Sequence, residues 1–412
     1  MLAINGGKQA VVKKYQSYNH PQLSKAFYSK GRKEKWIDDV TTFDAPIISE
    51  LQDLLCKQFG IKYTVVTNSG TSALFEMFYA AGLKEGDEVI IPVYTFFATA
   101  TPLFVLGCRP IPADSTDNGN IDPEDIERKI TSKTKAIVIT HMWGIPCDMD
   151  EIMKISKKYN IPVLEDSSHA HGATYKEKVV GNFGAASAWS MGAKKLITGG
   201  QGGFFGTNNK DLYQIVTLLG HANNKRIKTI TGKQYIPYST TGTGLNLRMH
   251  PYSASAIMDQ LKIYSRTFKQ RQEVAEYLIK EIEKIEGISL PRLPEKSVPA
   301  WYSFTMFYDK KAFNNLDIHK FVEALQAEGA YEFDIPNSTC PLTEFQIFRD
   351  GAVNIEGAKI KEKFTKKDFP NAYEYKSKMF KIPVWYGKDR LKFAEQYIKA
   401  LKKVAKHYKE IK

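Results

Sequence analysis

Cysteine is scarce: the 412 residues hold four (Cys56, Cys108, Cys147 and Cys340), far apart and with no Cys-x-x-Cys pair. That usage argues against a disulfide framework or a cysteine-built zinc site, and fits reduced thiols in a cytoplasmic protein. No metal site is expected. Long apolar runs are also missing, so no membrane span is expected. The opening MLAINGGKQAVVKKYQ has neither a long apolar stretch nor a small-residue cleavage site, so no secretory signal is expected either. Acidic residues are the minority, 45 Asp+Glu against 58 Lys+Arg, for a net charge of +13. Such an excess invites a nucleic-acid or anionic-substrate reading. The C-terminal KFAEQYIKALKKVAKHYKEI favours a plainer one. Phe393, Tyr397, Leu401, Val404, Tyr408 and Ile411 recur every three or four residues and make one apolar stripe, with the lysines largely on the other faces. No zinc finger, helix-turn-helix or RNA-stacking motif accompanies this basic-faced helix, so no nucleic-acid partner is expected.

What is present is the make-up of a globular enzyme, 43% hydrophobic and 25% charged. The length suits two domains, expected at 1–250 and 251–412. Between about residues 62 and 207, short apolar runs without strict alternation (YTVVTNS, EVIIPVYTF, AIVITHMWG, IPVLED, SAWSM, GGFFGTN) are separated by helix-length segments. This pattern predicts an α/β fold with parallel strands buried on both faces. Asp122-Pro123 reads as an N-cap with proline at the first helical position, opening PEDIERKI, and Gly82 and Gly86 bracket the turn after the first helix. A helical pattern from Tyr252 to Glu286 would bridge to a smaller C-terminal α/β domain, with a strand at WYSFTMFYD and a helix at HKFVEALQAEG.

Three constellations carry chemistry. Asn68-Ser69-Gly70-Thr71-Ser72 sits between a strand and a helix, where small residues let backbone N–H groups approach a phosphate. Leu164-Glu165-Asp166-Ser167-Ser168-His169-Ala170-His171 follows a strand, and Asp166 could hold a pyridinium proton or simply cap a helix. His169 and His171, two apart, cannot face one ion from a helix, so His169 reads better as a hydrogen-bonding group. Ser190 to Gly203 places Lys194 and Lys195 before a glycine-rich turn, where a desolvated lysine can become a nucleophile toward carbonyls.

Together, in order, these segments resemble the DegT/DnrJ/EryC1/StrS sugar aminotransferases, and the likeness extends over about residues 2–410. NSGTSAL is similar to the family's phosphate-binding turn, PVYTFFATA to its ring-stacking segment, EDSSHAHGA to its aspartate motif and SMGAKKLITGGQGG to its catalytic-lysine motif. TGTGLNLRM is similar to the element that reaches a neighbouring subunit's cofactor, and LAINGG, KFVEALQAEGA and FPNAYEY look most like the inosose and keto-sugar branch. The resemblance implies a fold-type-I enzyme with a mostly parallel seven-stranded sheet and pyridoxal phosphate as cofactor. It also implies a homodimer with shared active sites. Lys195, five residues after Ser190, is then the lysine that binds the cofactor as a Schiff base, and Ser190, Gly70, Thr71 and Asn246 of the partner subunit hold its phosphate. Phe96 stacks on the ring, Asp166 pairs with the ring nitrogen and His169 meets the 3-hydroxyl. His141 and Arg248 are candidates for a substrate or donor carboxylate, and Tyr94 and Trp143 for shaping the pocket.

This implies ping-pong transfer of an amino group from glutamate or glutamine to a keto sugar, nucleotide-linked or phosphorylated, or to a cyclitol ketone. Two departures stand out: Met191 replaces an aromatic residue, and Gln201 replaces the glutamate of the glycine turn. Rival readings are a sugar dehydratase, an aminohydroxybenzoate-synthase-like enzyme, or a non-enzymatic regulator or nucleic-acid binder that kept the fold. The dehydratase branch carries histidine at the lysine position, so Lys195 argues against it.

Overall fold

Seven short strands form the main sheet, and their composition explains why both of its faces are covered. The computed structural model, which describes residues 1–5, 7–11, 46–221, 226–351 and 364–411, has β1 at Tyr63–Thr67, β2 at Glu88–Pro92, β3 at Arg109–Ala113, β4 at Thr134–Thr140, β5 at Val163–Asp166, β6 at Ala186–Ser190 and β7 at Gly203–Thr207. Their order is β1-β7-β6-β5-β4-β2-β3. The pairs from β6 to β3 are parallel, while β7 runs antiparallel to both β1 and β6. Successive side chains of a strand point to opposite faces. Val89 and Ile91 therefore join one apolar cluster with helix Gly70–Ala80 (α2), while Ile90 joins another with Pro123–Lys129 (α3) and Met149–Tyr159 (α4). A third cluster packs Val66, Trp189 and Phe204 against Pro46–Phe59 (α1).

Two details differ from the sequence reading. The run EVIIPVYTF is not one strand: β2 ends at Pro92, and Tyr94–Phe96 pairs antiparallel with Thr339–Pro341 instead. Proline has no N–H with which to extend a ladder. The GGFFGTN strand, β7, reverses direction because a glycine-rich loop rather than a crossover helix joins it to β6. That loop carries Lys195.

Local signals explain the helices. Asp122 accepts the Glu124 N–H at 3.0 Å, with Pro123 in the first turn of α3. Lys210–Gly220 (α5) is capped by Asn209, and Pro251–Ile282 (α6) by His250, whose Nδ1 accepts the Tyr252 N–H at 3.2 Å. The 32 residues of α6 serve two cores. Ala254, Ile257, Leu261 and Tyr264 pack beneath the main sheet, whereas Val274, Leu278 and Ile282 enter a separate C-terminal cluster. That cluster surrounds an antiparallel sheet of Ile288–Ser289 (β8), Phe304–Tyr308 (β9) and Met379–Ile382 (β10), covered by Ile318–Ala327 (α7) and Arg390–Lys406 (α8).

Leu2 and Val11 are buried in the C-terminal cluster as well. The buried Glu328 carboxylate accepts the Ala3 and Ala10 amides at 2.6 and 3.1 Å and meets Lys403 Nζ at 2.9 Å. Among the described residues no helix is long and apolar enough to cross a membrane, and no group of three or more His, Cys, Asp or Glu could hold a metal ion.

Candidate active site

Ligands of open parallel sheets bind beyond the carboxyl ends of the strands, and the polar groups of this chain collect there. β1 ends at Thr67, β4 at Thr140, β5 at Asp166 and β6 at Ser190, with the glycine turn before β7 on the same edge. They border a pocket of roughly 630 Å³, counting its open mouth, lined by Gly70, Thr71, Phe96, Asp166, His169, Ser190 and Lys195 among others. Seven of the residues singled out from the sequence thus share one cavity.

One wall is the start of α2. Ser69 caps it, accepting the Ser72 N–H at 3.0 Å. The Gly70 and Thr71 N–H groups open the helix, where no carbonyl of their own helix can accept from them, and the helix dipole adds partial positive charge. Gly70 is required here by contact: a Cβ on it would lie 2.5 Å from Ser190 Cβ and 2.8 Å from Ser190 Oγ. Two backbone amides and a serine hydroxyl are thereby crowded into an anion-sized cradle.

Across the pocket, buried Asp166 accepts the Thr99 hydroxyl at 2.7 Å on one oxygen and the Ser168 N–H at 3.1 Å on the other. The adjoining lysines part company, Lys194 being exposed while Lys195 lines the cavity. Burial pushes the Lys195 ammonium down to about 8, against the pull of Asp166, which favours the charged form. Its Nζ lies 4.8 Å from the ring centre of Tyr302. Tyr302 in turn stacks on His169 with ring centres 3.9 Å apart. Burial, then the charge of Lys195, holds His169 well below the usual histidine range, so the ring is neutral. Its Nδ1 is buried with no protein partner among the described residues.

The remaining residues lie elsewhere. His141 was expected at a carboxylate of substrate or donor, but it is fully buried and both ring nitrogens are engaged. Nδ1 accepts the Cys147 N–H at 3.1 Å, so Nε2 carries the ring proton and donates it to Glu165 at 3.1 Å. Tyr94 is buried against Tyr375, and Trp143 is buried behind His169, the two rings stacked 5.7 Å apart. Neither residue lines the pocket. Asn246 is exposed, and Arg248 is half-buried with its backbone bridged to Thr67, so neither lines this chain's own cavity. Gln201 stands exposed at the mouth. Thr99 and Tyr302 were not singled out from the sequence. Thr99 lay within the quoted PVYTFFATA, but its partner is 67 residues away, and Tyr302 arrives from the C-terminal part of the chain.

A helix start with a serine hydroxyl beside it, a hydrogen-bonded carboxylate, a neutral histidine with a spare nitrogen and a desolvated lysine fit pyridoxal phosphate. The chain is similar to known proteins in the same sense. The model of the DegT/DnrJ/EryC1/StrS aminotransferase family matches residues 35–387. GDP-perosamine synthase from Escherichia coli O157:H7 is 31% identical over 71% of this chain and 77% of that protein. UDP-2-acetamido-2-deoxy-3-oxo-D-glucuronate aminotransferase from Pseudomonas aeruginosa is 30% identical over 72% and 79%. The solved aminotransferase from Psychrobacter cryohalolentis superposes with a TM-score of 0.81 at 25% identity, covering 96% of this chain and all of that one.

Proposed function

The chain belongs to the DegT/DnrJ/EryC1/StrS aminotransferase family, and on that premise we propose that it uses Lys195 to move an amino group from glutamate or glutamine to the ketone of a nucleotide-linked sugar. Membership makes it a sugar aminotransferase whose cofactor is pyridoxal phosphate. One observation carries the finer reading: Lys195, Asp166 and the Gly70–Ser190 cradle line a single pocket.

When bound, the cofactor supplies an electron sink for the negative charge left as a proton leaves carbon. The amides of Gly70 and Thr71 and the Ser190 hydroxyl would hold its phosphate, and Phe96 would lie against the ring face. The Asp166 carboxylate would keep a proton on the ring nitrogen, and neutral His169 would meet the ring hydroxyl. Lys195, with its proton lost near pH 8, offers a neutral amine to a sizeable fraction of molecules under ordinary conditions. That amine can attack a carbonyl, then take a proton from the donor's α-carbon and later return one to the former ketone carbon. The family resemblance of TGTGLNLRM supports Asn246 reaching the phosphate site of a second copy, and its exposed position here is compatible with that. The active unit is then a homodimer with two shared sites.

The relatives named for GDP- and UDP-linked sugars support a nucleotide-linked acceptor. The net charge of +13 would speed the approach of a diphosphate. The test uses holoenzyme without acceptor, mixed with glutamate and with glutamine separately. Loss of the lysine-linked cofactor's visible absorption with either amino acid is expected, followed by its return on adding a GDP- or UDP-linked keto sugar. No loss with both donors overturns the donor assignment. Return with an inosose or a free keto-sugar phosphate, and not with nucleotide sugars, overturns the acceptor.

A further inference from the structure

We propose that Thr140, Thr95 and Thr99 form a one-way hydroxyl relay that holds Asp166 ionised, which makes Thr99 a positioning residue for the proton on the cofactor's ring nitrogen. The inference rests on the reading of Asp166 given above.

The three threonines come from separate places, the end of β4, the Tyr94–Phe96 strand and the short turn Phe97–Thr99, and all are buried with Asp166. Thr99 Oγ1 lies 2.7 Å from Asp166 Oδ2, Thr95 Oγ1 is 2.9 Å from Thr99 Oγ1, and Thr140 Oγ1 is 3.2 Å from Thr95 Oγ1 and 3.5 Å from Thr99 Oγ1. A hydroxyl has one proton to give, and an ionised carboxylate only accepts. Thr99 must therefore donate to Asp166, which leaves its oxygen to accept from Thr95. Thr140 reinforces the same oxygen, either through Thr95 or by donating to Thr99 directly. Every O–H dipole in the chain points toward the carboxylate, and dipoles aligned this way strengthen one another in a low-dielectric interior. Protonating Asp166 would undo the alignment, so the relay favours the anion.

A neutral relay suits this place better than a second cation. It holds the carboxylate without cancelling the charge that a pyridinium would need. The ionisable neighbours are consistent with that division. Lys195 faces Asp166 across the pocket. His169 and His171 are kept neutral by burial, the latter pushed down to about 3. Glu165 turns to the opposite side of β5 and is taken up by the amides of Gly181, Phe183 and Gly184 and by His141.

The experiment is an NMR titration of holoenzyme carrying pyridoxal phosphate isotopically labelled at the ring nitrogen, which reads protonation of that atom directly. In Thr99→Val the carboxylate loses a donor and becomes the stronger base, so the midpoint for loss of the proton it shares with the nitrogen should rise by on the order of one unit, the worth of one charge-assisted hydrogen bond. Thr99→Ser should restore the wild-type midpoint. Thr95→Val should shift it in the same direction by less. A Thr99→Val curve that overlays wild type, while Asp166→Asn abolishes the protonated signal, overturns the relay and leaves the Asp166 reading intact. If Asp166→Asn also overlays wild type, the Asp166 reading itself falls. Should Thr99→Val not fold, the double variant Thr95→Val with Thr140→Val decides, and an unshifted midpoint there overturns the proposal.

Discussion

Replacing Gly70 by alanine tests the anion cradle through a contact that can be measured. The added Cβ would stand 2.5 Å from Ser190 Cβ and 2.9 Å from Ser190 Cα, where ordinary contact begins at 3.4 Å. The start of α2 and the end of β6 must then separate by about 0.9 Å. Neither side yields easily, since one is a helix backbone and the other a strand end. Alanine gains about 1 kcal/mol over glycine in a helix, and overpacking costs about 1–3 kcal/mol, so the net loss of stability should be slight. The cofactor suffers more. A misplacement of roughly 1 Å in a positioning group commonly costs about a hundredfold, and here it falls on two amides and a hydroxyl together. The assay is titration of apoprotein with pyridoxal phosphate followed by protein fluorescence, alongside thermal melting of the apo form. Affinity should fall on the order of a hundredfold with a melting shift of a few degrees. Gly192→Ala is the control, because its Cβ would meet Ser190 Oγ at an ordinary 3.5 Å. Wild-type affinity in Gly70→Ala would refute the cradle.

Three further outcomes are expected. Cofactor capture by apoprotein needs the neutral Lys195 amine, and burial lowers its pKa from 10.5 to about 8. The capture rate should therefore rise with pH and level off above about 8, and a midpoint near that of free lysine in stopped-flow absorbance would refute the desolvation argument. Glu165→Ala strips an acceptor from the amides of Gly181, Phe183 and Gly184, bonded at 2.6, 2.7 and 2.6 Å, and from His141. At about 1–3 kcal/mol for each orphaned group, denaturant unfolding should show a loss of roughly 4 kcal/mol or more, and less than about 1 kcal/mol would contradict the assignment. Finally, mixing inactive Lys195→Ala and Asn246→Ala proteins should recover activity, because one site of each hybrid dimer keeps both residues. A mixture no more active than its parts would exclude sharing.

Much of the α/β layout was legible because it depends on short-range pattern. β5 with Asp166 at its end, the turn at Gly70 and the loop at Lys195 each sit where an apolar run meets small or polar residues. What escaped depends on residues distant in sequence. The strand Tyr94–Phe96 is defined by its partner Thr339–Pro341, more than 240 positions away. The burial of His141 follows from the β4–β5 register, which sets Thr140 beside Asp166 and Ile139 beside Glu165. Nothing in the histidine's own neighbourhood reveals that its ring is committed to Glu165 and Cys147. The direction of β7 was open to inference, since a glycine loop without a helix favours an antiparallel return.

The attachment of Leu2, Ala3, Lys8 and Ala10 to Glu410, Glu328 and Lys403 bears on how the chain matures during synthesis. Leu2 N–H reaches Glu410 across 408 positions, and Ala3 reaches Glu328 across 325. A ribosome releases the early segment long before it has made the surface that receives it. Leu2 and Val11 must therefore stay undocked until α7 and α8 have emerged, while the main sheet can assemble from nearer neighbours. Loop closure over such separations is slow, so docking of this segment is the natural last event. Shortening the chain before α8 would release its beginning as surely as its end.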